Sequence, residues 1–98
     1  MPTYNVSYHF DPDLEEILVK NEHDEKIGDL QYHAEDQVWT VSHTGVDPNY
    51  RGGGIARELV DRIVDEARKA NVKLTATCPY ALHVLETTDD YSDIYSKK

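Results

Sequence analysis

Asp47-Pro48-Asn49-Tyr50-Arg51-Gly52-Gly53-Gly54-Ile55-Ala56 marks the point where the chain changes period. Behind it, Ile55, Leu59, Ile63 and Ala67 recur four apart. Ala56, Val60 and Val64 fill the adjoining row, and every other residue over 57–69 is charged. That spacing predicts an amphipathic helix, stopped at Asn71. Glu58–Arg62 and Asp65–Lys69 are four-apart pairs on its surface, each worth roughly a few tenths of a kcal/mol. In front of the glycines the period is two. Apolar and aromatic residues alternate over 4–10 and 14–20 and less regularly over 27–34, and 38–44 is rich in β-branched and aromatic residues, which together predict four strands in succession. Asp11-Pro12-Asp13 and the polar stretches 21–25 and 35–37 supply the turns. After the helix, 72–78 reads as a fifth strand ended by Pro79, 80–86 as a short helix, and 87–98 as a polar tail with little to bury. Strand, helix and strand in that order form a β-α-β unit with two parallel strands. The fold class expected is mixed α/β (α+β), with a mostly antiparallel sheet.

The chain has 98 residues, with 10 Lys+Arg against 19 Asp+Glu, a formal charge of −9. That length predicts a single domain over 1–98. The acidic balance argues against nucleic acid as a partner, because phosphate backbones need clustered Lys and Arg. No apolar run is long enough to span a bilayer. The first ten residues lack the basic flank and apolar stretch of a secretory signal. Cys78 is the one cysteine, so neither an internal disulfide nor a Cys-based zinc site is expected. His9, His23, His33 and His83 show no metal spacing. These features together predict a cytoplasmic protein with no metal and no membrane partner.

Three glycines at the mouth of a strong helix need a reason, since glycine there costs about 0.5–1 kcal/mol relative to alanine. One reason is an anion site. Free amides and a partial positive charge at a helix N-terminus suit a phosphate, and Arg51 adds a cation. The other is a flexible hinge with no ligand. A P-loop is excluded, because Gly-Lys-Ser/Thr is missing. A dinucleotide fingerprint is excluded too. Its third glycine would fall on Arg57, and the following strand carries no acid for a ribose.

Arg51-Gly52-Gly53-Gly54-Ile55-Ala56 resembles the Arg/Gln-x-x-Gly-x-Gly/Ala signature of the GNAT acyltransferase superfamily. His43-Thr44-x-Val46 before it and Cys78-Pro79-Tyr80 after it resemble a compact branch of that superfamily. The resemblance implies an acetyl-CoA-dependent N-acetyltransferase. It implies that backbone amides of Arg51, Gly52, Gly53, Gly54, Ile55 and Ala56 bind the pyrophosphate of the co-substrate, acetyl-CoA. Thr44, Gly45 and Val46 then lend backbone groups to the pantetheine arm. The two parallel strands splay around the thioester, with His43 on one wall and Cys78 on the other. Tyr80 takes the place of the tyrosine that protonates the leaving thiolate, although it follows the strand more closely than in the family pattern. Strands run directly into one another over 4–44, where larger members carry helices. An open acceptor side is therefore expected.

Acetyl transfer to an amine needs a base, a polarised carbonyl and a proton for the leaving sulfur. His43 is the candidate base; alternatively it is a structural histidine at a strand end. Cys78 can carry the acetyl group with His43 drawing off its proton, or simply line the pocket while the amine attacks directly. A non-catalytic acyl-CoA-binding module and an acidic protein-interaction domain are the competing functions. The resemblance implies an acceptor that is an amine on a small molecule, peptide or protein.

Overall fold

Four strands in direct succession build most of the sheet. In the computed structural model, which describes residues 4–96, they are β1 (Val6–Asp11), β2 (Glu16–Asn21), β3 (Lys26–Glu35) and β4 (Val38–Val46). Helix α1 (Ile55–Ala70) crosses over to β5 (Lys73–Ala76), and α2 (Pro79–Thr87) follows. The sheet order is β1-β2-β3-β4-β5. The first three pairings are antiparallel, and β4–β5 is parallel. The expected mixed α/β architecture and its β-α-β unit are both present.

The helix buries the stripe read from its period: Ile55, Leu59, Val60, Ile63, Val64 and Ala67. They join Ile17, Val19, Leu30, Tyr32, Val41 and Leu74 in one core. Asn71 ends the helix in the left-handed conformation at φ 60°. Glu58–Arg62 forms at 2.9 Å. Lys69 pairs with Glu66 at 3.8 Å rather than with Asp65, and Arg57 adds a pair to Asp61 at 3.1 Å.

Boundaries differ from the sequence reading for local reasons. Leu14 stays outside β2 and 66% exposed, because the Asp11 carboxylate accepts from the amides of Asp13 and Leu14 and prolongs the turn. The uneven pattern of β3 has a cause in its pairing. Val19 opposes Gly28 but Lys20 opposes Lys26, so Ile27 is a bulge residue and shifts the phase. At Gly28 a Cβ would stand 2.8 Å from the Gly45 carbonyl oxygen, so only glycine lets β3 approach β4 there. β5 ends at Ala76, leaving Cys78 as the residue that caps α2.

The expected polar tail contributes core. Tyr91 and Ile94 are buried. The Leu74 amide donates to the Ile94 carbonyl at 2.8 Å, and the Ser96 amide to the Leu74 carbonyl at 2.7 Å, which covers the outer edge of β5. Arg68 holds this segment through Asp93 at 2.9 Å and the Asp90 carbonyl at 2.7 Å. The Tyr91 hydroxyl donates to Asp61. Burial first, and then that carboxylate, push its pKa up to about 12. Among the described residues, no helix is long and apolar enough to cross a membrane.

Candidate active site

The site begins where the parallel pair comes apart. β4 and β5 pair from Val38–Lys73 to Val41–Ala76 and no further. The amides of Thr77 and Cys78 both turn to the Val41 carbonyl, at 2.9 and 3.2 Å, and close off β5. Residues 42–46 of β4 therefore have no strand on that edge among the described residues. Two local features drive the split. Pro79 cannot continue a ladder and opens α2 instead. Ser42 is a bulge on β4, since Gln31 opposes His43 whereas Tyr32 opposes Val41. The bulge inverts the alternation. Val41 and Thr44 both face the helices, opposite Tyr32 and Leu30, and His43 falls opposite exposed Gln31 on the other face.

The glycine loop lies at the end of this edge. Asp47 accepts the Asn49 amide at 2.8 Å and starts a single 3-10 turn, Pro48–Tyr50. Gly52 (φ 86°) and Gly54 (φ 79°) then take left-handed conformations that side chains disfavour. Gly54 is the N-cap of α1 and offers no capping side chain. The first helical bond runs from the Glu58 amide to the Gly54 carbonyl at 3.0 Å. The amides of Ile55, Ala56 and Arg57 thus have no helical acceptor. A cleft of about 220 Å³ opens onto them, lined by Val46, Arg51, Gly52, Gly54, Ile55, Ala56, Arg57 and Tyr80. A wider cleft of about 330 Å³ lies between Tyr8, Phe10 and α1. It presents Glu58, Asp65 and Glu66 against Arg62 and Lys69, and Arg62 is already stacked 4.2 Å from the Tyr8 ring centre. That lining does not suit a diphosphate.

The structure brings most of the sequence-derived residues to one seam. Val46, Arg51, Gly52, Gly54, Ile55, Ala56 and Tyr80 share the cleft, with Gly53 half-buried inside the loop. Thr44 Oγ1 meets Cys78 Sγ at 3.5 Å. His43 is apart from them. Its Nε2 lies 3.2 Å from Asp29 Oδ1 on the opposite face of the sheet.

Residues 16–94 match the family model for the GCN5-related N-acetyl-transferases. The chain belongs to this family. No curated protein matches the sequence. Among solved structures, a GCN5-like protein from Staphylococcus aureus is 24% identical, with a TM-score of 0.73, over 100% of this chain and 93% of that one. Rv2747 from Mycobacterium tuberculosis, in complex with CoA, is 21% identical at a TM-score of 0.58, over 63% of this chain and 40% of that one. The ribosomal-protein-S18-alanine N-acetyltransferase from Escherichia coli is 19% identical at a TM-score of 0.63, over 76% and 50%. This member of the family thus shares its fold with a CoA-bound protein.

The electrostatics of the seam act on sulfur and phenol. Burial raises the Cys78 thiol pKa, but the Thr44 hydroxyl and the amides of Ala81, Tyr80 and Thr44 outweigh it and hold the thiol below its ordinary value. Thr44→Val is expected to raise the thiol pKa, because the thiolate loses its hydroxyl donor. The alkylation rate of Cys78 at neutral pH then falls, and its pH midpoint moves upward, as iodoacetamide kinetics would read. Burial raises the Tyr80 pKa and Asp61 adds to it, against the opposing Arg57. Tyr80 therefore keeps its proton at neutral pH and can donate it. Sequence reasoning missed the Thr44–Cys78 contact and Asp29. The one signal for Asp29 was an acid interrupting the apolar stretch Ile27-Gly28-Asp29-Leu30.

Proposed function

We propose that residues 1–98 act as one acetyl-CoA-dependent N-acetyltransferase. The observation that carries this reading is the continuity of the unpaired β4 edge with the uncapped N-terminus of α1. The amides of Ile55, Ala56 and Arg57, with the left-handed Gly52 and Gly54 beside them, suit a diphosphate. Residues 44–46 suit an extended arm that adds to β4 like a strand. When bound, acetyl-CoA supplies the thioester whose carbonyl an amine attacks. His43 then takes the proton from the attacking nitrogen on the uncovered face, and Tyr80 returns one to the leaving sulfur. The acceptor is an amine of a small molecule, peptide or protein. The Escherichia coli relative's action on a ribosomal protein makes a protein acceptor a reasonable first trial. The formal charge of −9 favours a cationic one.

The lowered thiol pKa supports a second reading, in which Cys78 carries the acetyl group. The Cys78 thiolate displaces the CoA thiolate from the acetyl carbonyl, and Tyr80 protonates the sulfur that leaves. The amine then attacks the acetyl-Cys78 thioester and gives its proton to His43. The C–S bond breaks, Cys78 leaves as the thiolate that began the cycle, and Tyr80 regains its proton from solvent as His43 loses one. Calorimetry with acetyl-CoA, followed by free-thiol release with a panel of amines and Lys peptides, tests the function. No binding sinks both readings, and binding without thiol release reduces the protein to an acyl-CoA-binding module.

A further inference from the structure

Asp29 is 7% exposed on the face of the sheet where Ser7, His9, Gln31, His33 and His43 are all exposed. A carboxylate withdrawn from water in mid-strand needs partners, and it has three. Oδ1 lies 3.2 Å from His43 Nε2. Oδ2 accepts from Gln31 Nε2 at 3.2 Å and faces Lys26 Nζ at 3.5 Å. Lys26 matches an ionised Asp29, which can only accept hydrogen bonds.

The backbone is cut to let this contact form. Asp29 opposes Gly45 in the register, and His43 stands diagonally across, opposite Gln31. A Cβ on Gly45 would stand 3.0 Å from His43 Nε2, 3.2 Å from its Cε1 and 3.5 Å from Asp29 Oδ1. The missing side chain is the corridor through which the imidazole reaches the carboxylate. The Ser42 bulge is what brings His43 onto this face.

We infer that Asp29 is a positioning residue for His43: it holds the proton on Nε2 and leaves Nδ1 as the proton-accepting nitrogen. An acceptor-only oxygen at Nε2 admits no other neutral tautomer in that contact. The inference rests on the proposed role of His43 as base. It says which nitrogen does the work and what fixes it.

Long-range nitrogen–proton NMR spectra of the full chain, taken where the imidazole is neutral, read the tautomer without any turnover. The wild type is expected to carry hydrogen on Nε2 alone. Asp29→Asn, equal in shape but offering donor and acceptor, is expected to give a mixture, as is Asp29→Ala. A wild-type ring protonated on Nδ1 overturns the inference, and so does a tautomer unchanged in both variants. Kinetics add a second reading. Asp29→Asn should lower kcat about tenfold or more, as a share of what a general base contributes. KM for acetyl-CoA should hold, and no further loss should appear in a His43→Ala background. Equal losses in both backgrounds mark Asp29 as merely structural and overturn the inference. If wild type fails to bind or turn over acetyl-CoA, the functional reading falls while the spectra still decide the placement.

Discussion

Gly54→Val is expected to weaken acetyl-CoA binding about a hundredfold or more. The cleft presents amides that have no acceptor within the helix, and two charge-assisted hydrogen bonds at roughly 1.5–3 kcal/mol each amount to that loss. A Cβ at Gly54 meets no protein atom within 4 Å, so a side chain there projects into the space the ligand would take. The backbone complicates the result. At φ 79° a branched residue is strained by about 1–2 kcal/mol, which the melting temperature of the free protein will report. Gly54→Asn separates the two effects, because asparagine tolerates the left-handed region. It should fold close to wild type and still lose binding. Thermal shift gives an independent reading. Ligand at a hundred times the wild-type Kd stabilises the wild type by about 2.7 kcal/mol and should stabilise either variant by about 0.4 kcal/mol or less. An asparagine variant that binds normally would mean that the valine acts through strain alone, and the phosphate assignment to this loop would be withdrawn.

The period of the sequence was enough for the sheet order and the helix, because each buries one face. Ile55, Leu59, Ile63 and Ala67 sit on the core side that their spacing demands. The misreadings fall where the chain leaves its period. Ile27 and Ser42 each add one residue to a strand, and a bulge changes which side chains share a face without changing composition. That is why alternation alone pairs His43 with Cys78, whereas the structure sets them on opposite faces. A run of strict alternation puts His43 beside Val41, whereas the bulge puts Thr44 there and gives Cys78 a hydroxyl as its neighbour. The tail hides its core residues for a different reason. Tyr91 and Ile94 are two apolar residues among acids, too few for a pattern, yet α1 supplies Arg68 and Asp61 to anchor them. Such a partnership between distant segments has no local signature. The resemblance over the glycine loop was legible because its demands are local: left-handed φ angles, an uncapped helix and a strand edge.

His43→Ala is expected to lower kcat about 10²–10⁴-fold, the range a positioned general base contributes, with KM for acetyl-CoA little changed. Cys78→Ala separates the two mechanisms. The neutral amine that attacks must shed a proton on the acceptor side, and the leaving sulfur must gain one on the cofactor side. His43 and Cys78 stand on opposite faces of the sheet, so neither can serve the other's proton. Under direct attack the Cys78 thiol is wall. Its loss removes one small buried contact, and kcat should fall less than about tenfold. Under acyl transfer through sulfur, the thiolate must form without His43, from the Thr44 hydroxyl and the amides of Thr44, Tyr80 and Ala81. Those same donors hold its pKa down, so that route is chemically open. Cys78→Ala would then cost as much as His43→Ala, and Thr44→Val would slow both half-reactions, because the Cys78 sulfur is nucleophile in the first and leaving group in the second. Rapid acid quench of the protein with acetyl-CoA and no amine, read by mass spectrometry, decides between them. An acetyl group on Cys78 formed faster than turnover selects the two-step route. An unmodified thiol, with Cys78→Ala still active, leaves direct attack on the thioester with His43 as its base.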